Sequence, residues 1–172
     1  MIHQTCGTVR LMNQFLEKGS DRMFQEVGIC PQFDCLWDNL TPREHLSLFG
    51  RLKGLNAQEL ESSIIYLMNS MQLTEFAKTK AKNLSGGNKR KLCFSDAVIG
   101  NPSLIFLDEP STGLDPIARR YLWRTLIEIS KKRKISLVLT THSMVEAEFL
   151  CNKIGSLYFY FECYKIENKK EF

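Results

Sequence analysis

The sequence feature that most constrains the fold is a run of four apolar residues at positions 104–107 (LIFL), followed directly by Asp108 and Glu109. Four apolar residues without polar alternation are typical of a parallel strand that is buried on both faces. Charged side chains at the carboxyl end of such a strand lie where open α/β sheets bind ligands. The run therefore predicts an interior strand of a mostly parallel sheet, with a polar site at its end.

A second stretch, residues 84–99, predicts a helix whose first turn can meet an anion. It opens with residues 84–88 (LSGGN), continues with a basic run, and then carries an apolar face before Gly100 and Pro102 end it. The bare N–H groups and the positive end of such a helix attract anions such as phosphate. Taken alone, LSGGN is also typical of a flexible helix cap, and Asp-Glu after a strand is typical of a solvated loop. Their occurrence together, in order, favours a nucleotide site.

The chemistry expected of the two acids differs. Asp108 is placed to hold Mg²⁺, directly or through water, because a hard cation prefers carboxylate oxygens. Glu109 is placed to orient or deprotonate an attacking water. Residues 111–115 (STGLD) follow as a turn into the next helix.

These segments resemble the ATP-binding cassette (ABC) ATPases. Residues 84–88 resemble the signature motif of that family, residues 104–109 its Walker B strand with the catalytic glutamate, and residues 111–115 its D-loop. The resemblance covers about residues 7–155, and residues 30–41 are similar to subfamily A, the lipid-exporting branch. It implies ATP binding and hydrolysis with Mg²⁺, in the nucleotide-binding domain of a membrane-associated transporter of lipids.

The resemblance also assigns roles to individual residues. Glu109 and His142 would be catalytic, and Asp108 and Gln32 would hold the metal. The residues expected to contact nucleotide are Gln32, Ser85, Gly86, Gly87 and Asp115. A glutamine amide can reach Mg²⁺ without adding charge, and a neutral imidazole can bridge the γ-phosphate and the attacking water. Without the neighbouring motifs, Gln32 is typical of a polar loop and a lone histidine of a surface or core position.

The phosphate-binding loop of such ATPases has the pattern G-x-x-x-x-G-K-[ST], and the sequence contains no Gly-Lys dipeptide. The chain is therefore expected to begin after its own P-loop (Walker A), and the isolated chain is expected to be inactive. Two alternatives to a transporter ATPase stay open. One is a truncated half-site that binds a partner domain's ATP without turnover, and the other is a soluble ABC ATPase with no role in transport.

The predicted fold class is α/β, a P-loop NTPase-like and mostly parallel sheet with a helical signature subdomain, incomplete at the N-terminus. Residues 1–172 would form one partial domain. Its parts would be a helical subdomain at about 41–100, an α/β core at about 7–33 and 103–155, and a divergent tail at 156–172. Thr41, Pro42 and Glu44 predict a capped helix start, and Asn56 predicts another. A fourth helix is expected over 117–130 and a buried strand over 135–141.

The composition argues against nucleic acid as a partner and for the cytosol as the compartment. A net charge of +4 on 172 residues is too small to argue for nucleic acid. The six cysteines and three histidines have no metal-ligand spacing, so free thiols in a reducing cytosol are expected rather than a zinc site. The sequence opens without a signal peptide, and no apolar stretch approaches the ~20 residues that cross a bilayer. The isolated chain is thus expected to be soluble and cytoplasmic.

The resemblance implies two protein partners. In the family, two nucleotide-binding domains form a head-to-tail dimer, with each ATP between the P-loop of one domain and the signature of the other. The transporter's membrane domain would contact residues 33–40, which would hold this chain at the cytosolic face of a membrane. Phe33, Leu36 and Trp37 are large apolar groups in that predicted loop. On the sequence alone, a contact surface and a local satellite core are equally supported.

Overall fold

A computed structural model describes residues 10–11, 14–15, 25–156 and 164–167. At the centre of this part of the chain, three parallel strands form a sheet in which the strand from residues 104–108 lies between the other two. The described elements are, in chain order, β1 (Arg10–Leu11), β2 (Gln14–Phe15), β3 (Val27–Cys30), α1 (Pro42–Leu52), α2 (Ala57–Ser70), two 3-10 turns (Thr74–Phe76 and Ala81–Asn83), α3 (Gly86–Val98), β4 (Leu104–Asp108), α4 (Pro116–Arg133), β5 (Ser136–Thr140), α5 (Met144–Leu150), β6 (Lys153–Ser156) and β7 (Tyr164–Glu167).

Both predicted capped helices begin at the predicted residues. The Thr41 hydroxyl accepts the Glu44 N–H at 3.3 Å, and the Glu44 carboxylate accepts the Thr41 N–H at 2.8 Å. At the start of α2, Asn56 and Glu59 make the same reciprocal exchange. Each capping box satisfies backbone donors that a helix start otherwise leaves unpaired, which is typically worth about 1 kcal/mol.

The helix α3 joins the helical part of the chain to the sheet. Its backbone passes so close to β3 that a Cβ at Gly28 would overlap the carbonyl oxygen of Ala97. One apolar core therefore runs from α1 and α2 through α3 to the sheet and α4. The members with no more than 2% of their surface exposed include Leu46, Leu67, Leu92, Ile99, Ile105, Leu107, Leu122 and Leu126.

The prediction that the strands are buried on both faces is wrong for the described residues. Ile105 and Leu107 point to the packed face, but Ile29, Phe106 and Val138 are 66%, 43% and 47% exposed. These three are register partners across β3, β4 and β5, so they form one apolar row on the other face. The unbroken apolar run in the sequence shows that both faces favour burial, but it does not say which helices are present to cover them.

The ends of the chain are only partly described. β1 pairs with β2, and β6 pairs with β7 from Ser156 opposite Tyr164 to Lys153 opposite Glu167, both antiparallel. Residues 7–9, 12–13 and 16–24 of the predicted α/β core lie outside the described residues, as do residues 157–163 and 168–172 of the predicted divergent tail. In the part of the chain that the structure describes, no helix combines the length and the apolar character needed to cross a membrane.

Candidate functional site

Four of the predicted site residues end or follow three neighbouring strands at the same edge of the sheet. Because β3, β4 and β5 run parallel, their carboxyl ends lie side by side, with Asp108 opposite Thr140. Gln32 comes just after β3, Asp108 and Glu109 end and follow β4, and His142 follows β5. The fold thus gathers residues that are more than a hundred positions apart in the sequence at the place where open α/β sheets bind ligands.

Glu109 and His142 form a pair across the end of the sheet. The Glu109 Oε2 lies 2.8 Å from His142 Nδ1 and accepts the Thr112 hydroxyl at 2.9 Å. Partial burial alone would raise the pKa of this carboxyl, but the hydrogen bonds from His142 and Thr112 outweigh it and lower the pKa. Glu109 is therefore a carboxylate at neutral pH, the form that a general base requires.

The backbone at Glu109 adopts a conformation that residues with a side chain seldom take. Its φ is +47°, in the left-handed region. The Glu109 N–H donates to the Thr140 carbonyl at 3.1 Å, which fixes the turn against the end of β5. Such conformations cost free energy and gather at functional sites, so this turn supports a role for the side chain that it orients.

Asp108 offers an exposed carboxylate at the end of β4. Thr140 Oγ1 donates to its Oδ1 at 2.5 Å, which fixes the orientation of the group. No three His, Cys, Asp or Glu side chains of the described residues gather into a metal cluster. Mg²⁺ is usually held by one or two carboxylates, with phosphate and water oxygens completing its shell. A single oriented carboxylate beside the exposed residue Gln32 fits that mode of binding.

The signature segment begins α3 and faces open space. Ser85 caps the helix by accepting the Asn88 N–H at 3.3 Å. A Cβ built at Gly86 would have no heavy atom of the described chain within 4 Å, and one at Gly87 would lie 3.8 Å from Leu114 Cδ2. Nothing in the described structure therefore requires glycine at position 86. A close-approaching external ligand would require it, because only glycine leaves the backbone uncovered.

Asp115 has a structural role at the start of α4. Its Oδ1 accepts the N–H groups of Ile117 at 2.9 Å and Ala118 at 3.0 Å. The Ala118 hydrogen bond is the main cause of the lowered pKa of this carboxyl. The helix cap accounts for an aspartate at this position, and a nucleotide contact by its exposed carboxylate stays a prediction.

A small pocket lies beside Glu109, between the turn after β4 and the end of β5. It is lined on one side by Ser111 and Thr112 and on the other by His142. Arg119 of α4 also lines it. The pocket places open space directly against the Glu109–His142 pair.

Arg90 contacts the backbone of this site but was not predicted from the sequence as a site residue. This residue of α3 is 4% exposed, and its guanidinium donates to backbone carbonyls at the end of β4 and in the segments that follow β3 and β4. In the sequence, Arg90 was interpreted only as one member of a basic run. The signal that was available is its spacing, because Arg90, Phe94 and Ala97 recur at i, i+4 and i+7 on the buried stripe of the helix.

A family model described as "ABC transporter" matches residues 1–112, about two thirds of the chain. The chain belongs to the ABC transporter family. The predicted fold class, an α/β fold of the P-loop NTPase type, is confirmed by solved ABC structures. One, titled as the ATP binding subunit of an ABC transporter, is 28% identical with a TM-score of 0.75, over 87% of this chain and 62% of that one. A dimeric ATP-binding cassette bound to ADP and Pi is 23% identical with a TM-score of 0.76, over 88% and 68%, and shows the fold alone.

Relatives of the chain include members of subfamily A. ABC transporter A family member 3 of Arabidopsis thaliana is 43% identical over 157 residues, which are 90% of this chain and 17% of that protein. ATP-binding cassette sub-family A member 2 of Homo sapiens is 47% identical over 131 residues, 76% of this chain and 5% of that protein. This ABC chain therefore spans less than a fifth of the length of these relatives.

Proposed function

We propose that this chain acts as part of the nucleotide-binding domain of a subfamily A transporter, where it binds and hydrolyses ATP with Mg²⁺ to drive the export of lipid. The observation that carries the proposal is the Glu109–His142 pair, 2.8 Å apart and adjacent to Asp108 at the shared edge of β3, β4 and β5. The subfamily of its relatives supports the transport role, and lipid as the substrate rests on the resemblance of residues 30–41 to the lipid-exporting branch.

Each group at the edge of the sheet has a distinct task in this proposal. Asp108 and Gln32 hold Mg²⁺, which neutralises charge on the phosphates of bound ATP. Glu109 takes a proton from the attacking water, and its lowered pKa keeps it in the basic form. His142 orients the Glu109 carboxylate through Nδ1, and a contact of its imidazole with the γ-phosphate is part of the proposal.

The signature segment serves a second nucleotide, held by the P-loop of a partner domain in a head-to-tail dimer. Ser85 and Gly86 are exposed at the start of α3, and open space lies over Gly86. A helix start of this kind presents N–H groups to an incoming phosphate. Asp115 would reach the same interface from the start of α4. In this arrangement the chain contributes to two sites at once.

The membrane domain would dock on residues 33–40, which places the chain at the cytosolic face of a membrane. Phe33 is exposed, whereas Leu36 packs against the core. Trp37 is half exposed and stacks on His45 and Phe49 at 5.6 and 5.7 Å between ring centroids. The segment is thus held in place by packing of Leu36 and Trp37, while Phe33 leaves apolar surface exposed. A docking site for another protein domain needs both properties. The segment directly precedes the proposed helical subdomain at about 41–100. It thus lies between the first part of the proposed α/β core and that subdomain.

The experiment that tests the trans-acting role is ATP-dependent association. Ser85→Arg adds bulk where the γ-phosphate of the partner's ATP would lie, and we expect it to abolish association with a hydrolysis-dead ABC domain that carries a P-loop. Ser62→Arg, at an exposed position of α2, is the matched control and should associate like the parent. Sedimentation with and without Mg-ATP is the measurement. Equal ATP-dependent association by parent and Ser85→Arg would refute the role.

A second candidate, a half-site that binds without turnover, is favoured by one observation. The sequence has no G-x-x-x-x-G-K-[ST] pattern to cradle phosphates on this chain. In that case the mixture with the partner domain would associate with ATP, but adding a P-loop segment to this chain would not produce hydrolysis. Turnover by the completed domain would exclude this candidate.

A further inference from the structure

The guanidinium of Arg90 binds the backbone of two loops, those after β3 and β4, and of the last residue of β4. These segments carry the proposed Mg²⁺ ligands and the proposed catalytic base. Arg90 has five N–H donors, and each has a backbone carbonyl oxygen as its partner. Nε donates to one carbonyl at 2.8 Å, and the nearer partner of Nη2 is at 2.7 Å. The five acceptors are the carbonyls of Pro31, Gln32, Asp108, Glu109 and Pro110.

Among the described residues, no carboxylate is in hydrogen-bonding contact with this buried charge. Arg90 is 4% exposed, and the nearest carboxylate oxygen in that part of the chain, on Asp34, lies 3.9 Å from Nη1. A buried charge is costly unless hydrogen bonds replace its water. Here carbonyl dipoles do so, and all of them come from the last residue of β4 and the two segments that follow β3 and β4. The guanidinium therefore holds those segments at a defined distance from α3.

We propose that Arg90 is a positioning residue that couples α3 to the backbone of Glu109 and Gln32. The inference rests on the proposed function, in which the start of α3 serves the partner's nucleotide. Ser85 and Arg90 are five residues apart, less than one and a half turns of the same helix. A displacement of the helix start is thereby passed to the carbonyls of Asp108 and Glu109. Engagement of one nucleotide then sets the geometry that hydrolyses the other.

Lysine cannot replace arginine in this role. An ammonium group has three donors on a single nitrogen, whereas the planar guanidinium spreads five donors over a fixed fork. Arg90→Lys keeps the charge and much of the apolar stem but leaves carbonyls of both loops without a partner. The variant therefore separates the coupling geometry from charge and packing. Arg133→Lys is the matched control, because the guanidinium of Arg133 packs on the ring of Tyr66 and donates to one carbonyl only, that of Val98, at 3.4 Å among the described residues.

The first test needs no substitution. In the chain labelled with ¹⁵N-arginine, a guanidinium with five bonded protons should show separate Nη signals, because rotation about its terminal bonds is blocked. Arg90→Lys assigns these signals by their loss, and if that variant does not fold, Arg90→Gln serves the same purpose. Averaged Nη signals for Arg90 in the parent would overturn the proposal, because a freely rotating fork cannot transmit a displacement.

The second test measures the coupling. Ser85→Ala removes the cap of α3, and the imidazole signals of His142, assigned with His142→Gln, report the geometry of Glu109. We expect Ser85→Ala to move these signals in the parent, and to move them about threefold less or not at all in an Arg90→Lys background. In an Arg133→Lys background the response should equal that of the parent. An equal response in all three backgrounds, or none in the parent, would overturn the proposal. No nucleotide or partner is used, so this outcome is independent of the association assay.

Discussion

The contact between α1 and α3 makes a prediction about pH that can be worked from the structure. His45 of α1 is fully buried, and Asp96 of α3 is 7% exposed. The His45 Nδ1 lies 3.4 Å from Asp96 Oδ2, while Asp96 Oδ1 has no hydrogen-bond partner among the described residues. A buried carboxylate with one unsatisfied oxygen is costly in its charged form. Its protonation should therefore stabilise the fold.

The pKa shifts of both groups act in the same direction. Burial raises the pKa of Asp96 from 3.8 to about 6, because the neighbouring His45 offsets only part of the desolvation. Burial alone would lower the pKa of His45, but the attraction of Asp96 outweighs it and raises the pKa. In both cases the folded protein binds protons more tightly than the unfolded chain. Stability must then fall as pH rises through these values.

The magnitude follows from the shift of Asp96. With a pKa of 3.8 unfolded and about 6 folded, the free energy of unfolding should fall by about 1 kcal/mol between roughly pH 5 and pH 8. His45 contributes with the same sign in that interval. Asp96→Asn keeps the shape of the side chain but cannot ionise. It should remove the contribution of Asp96 and flatten the dependence over this range.

Urea unfolding at about pH 5 and pH 8, followed by circular dichroism, measures the effect. Asp38→Asn, at an exposed position, is the control and should keep the pH dependence of the parent. The reasoning fails if Asp96→Asn loses as much stability between the two pH values as the parent does. It also fails if the parent becomes more stable as pH rises.

Three further predictions concern nucleotide chemistry and packing. Mg-ATP should bind the purified chain more weakly than about 10 µM, because the sequence lacks a P-loop pattern, and calorimetry that finds tighter binding would contradict this. In a domain completed with a P-loop, Glu109→Gln should lower the hydrolysis rate by about 10²–10⁴-fold while ATP binding is kept, and turnover within about twofold of the parent would remove Glu109 from the mechanism. Gly28→Ala should cost about 1–3 kcal/mol or more in urea unfolding, because its Cβ overlaps the Ala97 carbonyl, whereas Gly86→Ala, in open space, should not destabilise the chain.

Local features could be predicted from the sequence because their causes are local. A capping box needs only residues within one helical turn, so the starts of α1 and α2 followed from Thr41, Glu44 and Asn56. The strand β4 and the two acids at its end could likewise be predicted, because they are consecutive in the sequence. Once β3, β4 and β5 were expected to be parallel, the gathering of Gln32, Asp108, Glu109 and His142 at one edge followed from chain direction alone.

The remaining features depend on contacts between residues far apart in the sequence, and no local pattern encodes these. Arg90 meets the carbonyls of Gln32 and Asp108 across 58 and 18 positions, and His45 meets Asp96 only because α1 packs against α3. The exposure of Ile29, Phe106 and Val138 likewise could not be predicted from the local sequence. Apolar side chains state a preference for burial, but burial itself requires another element to lie over them, and only the packing of the folded chain determines which face receives one.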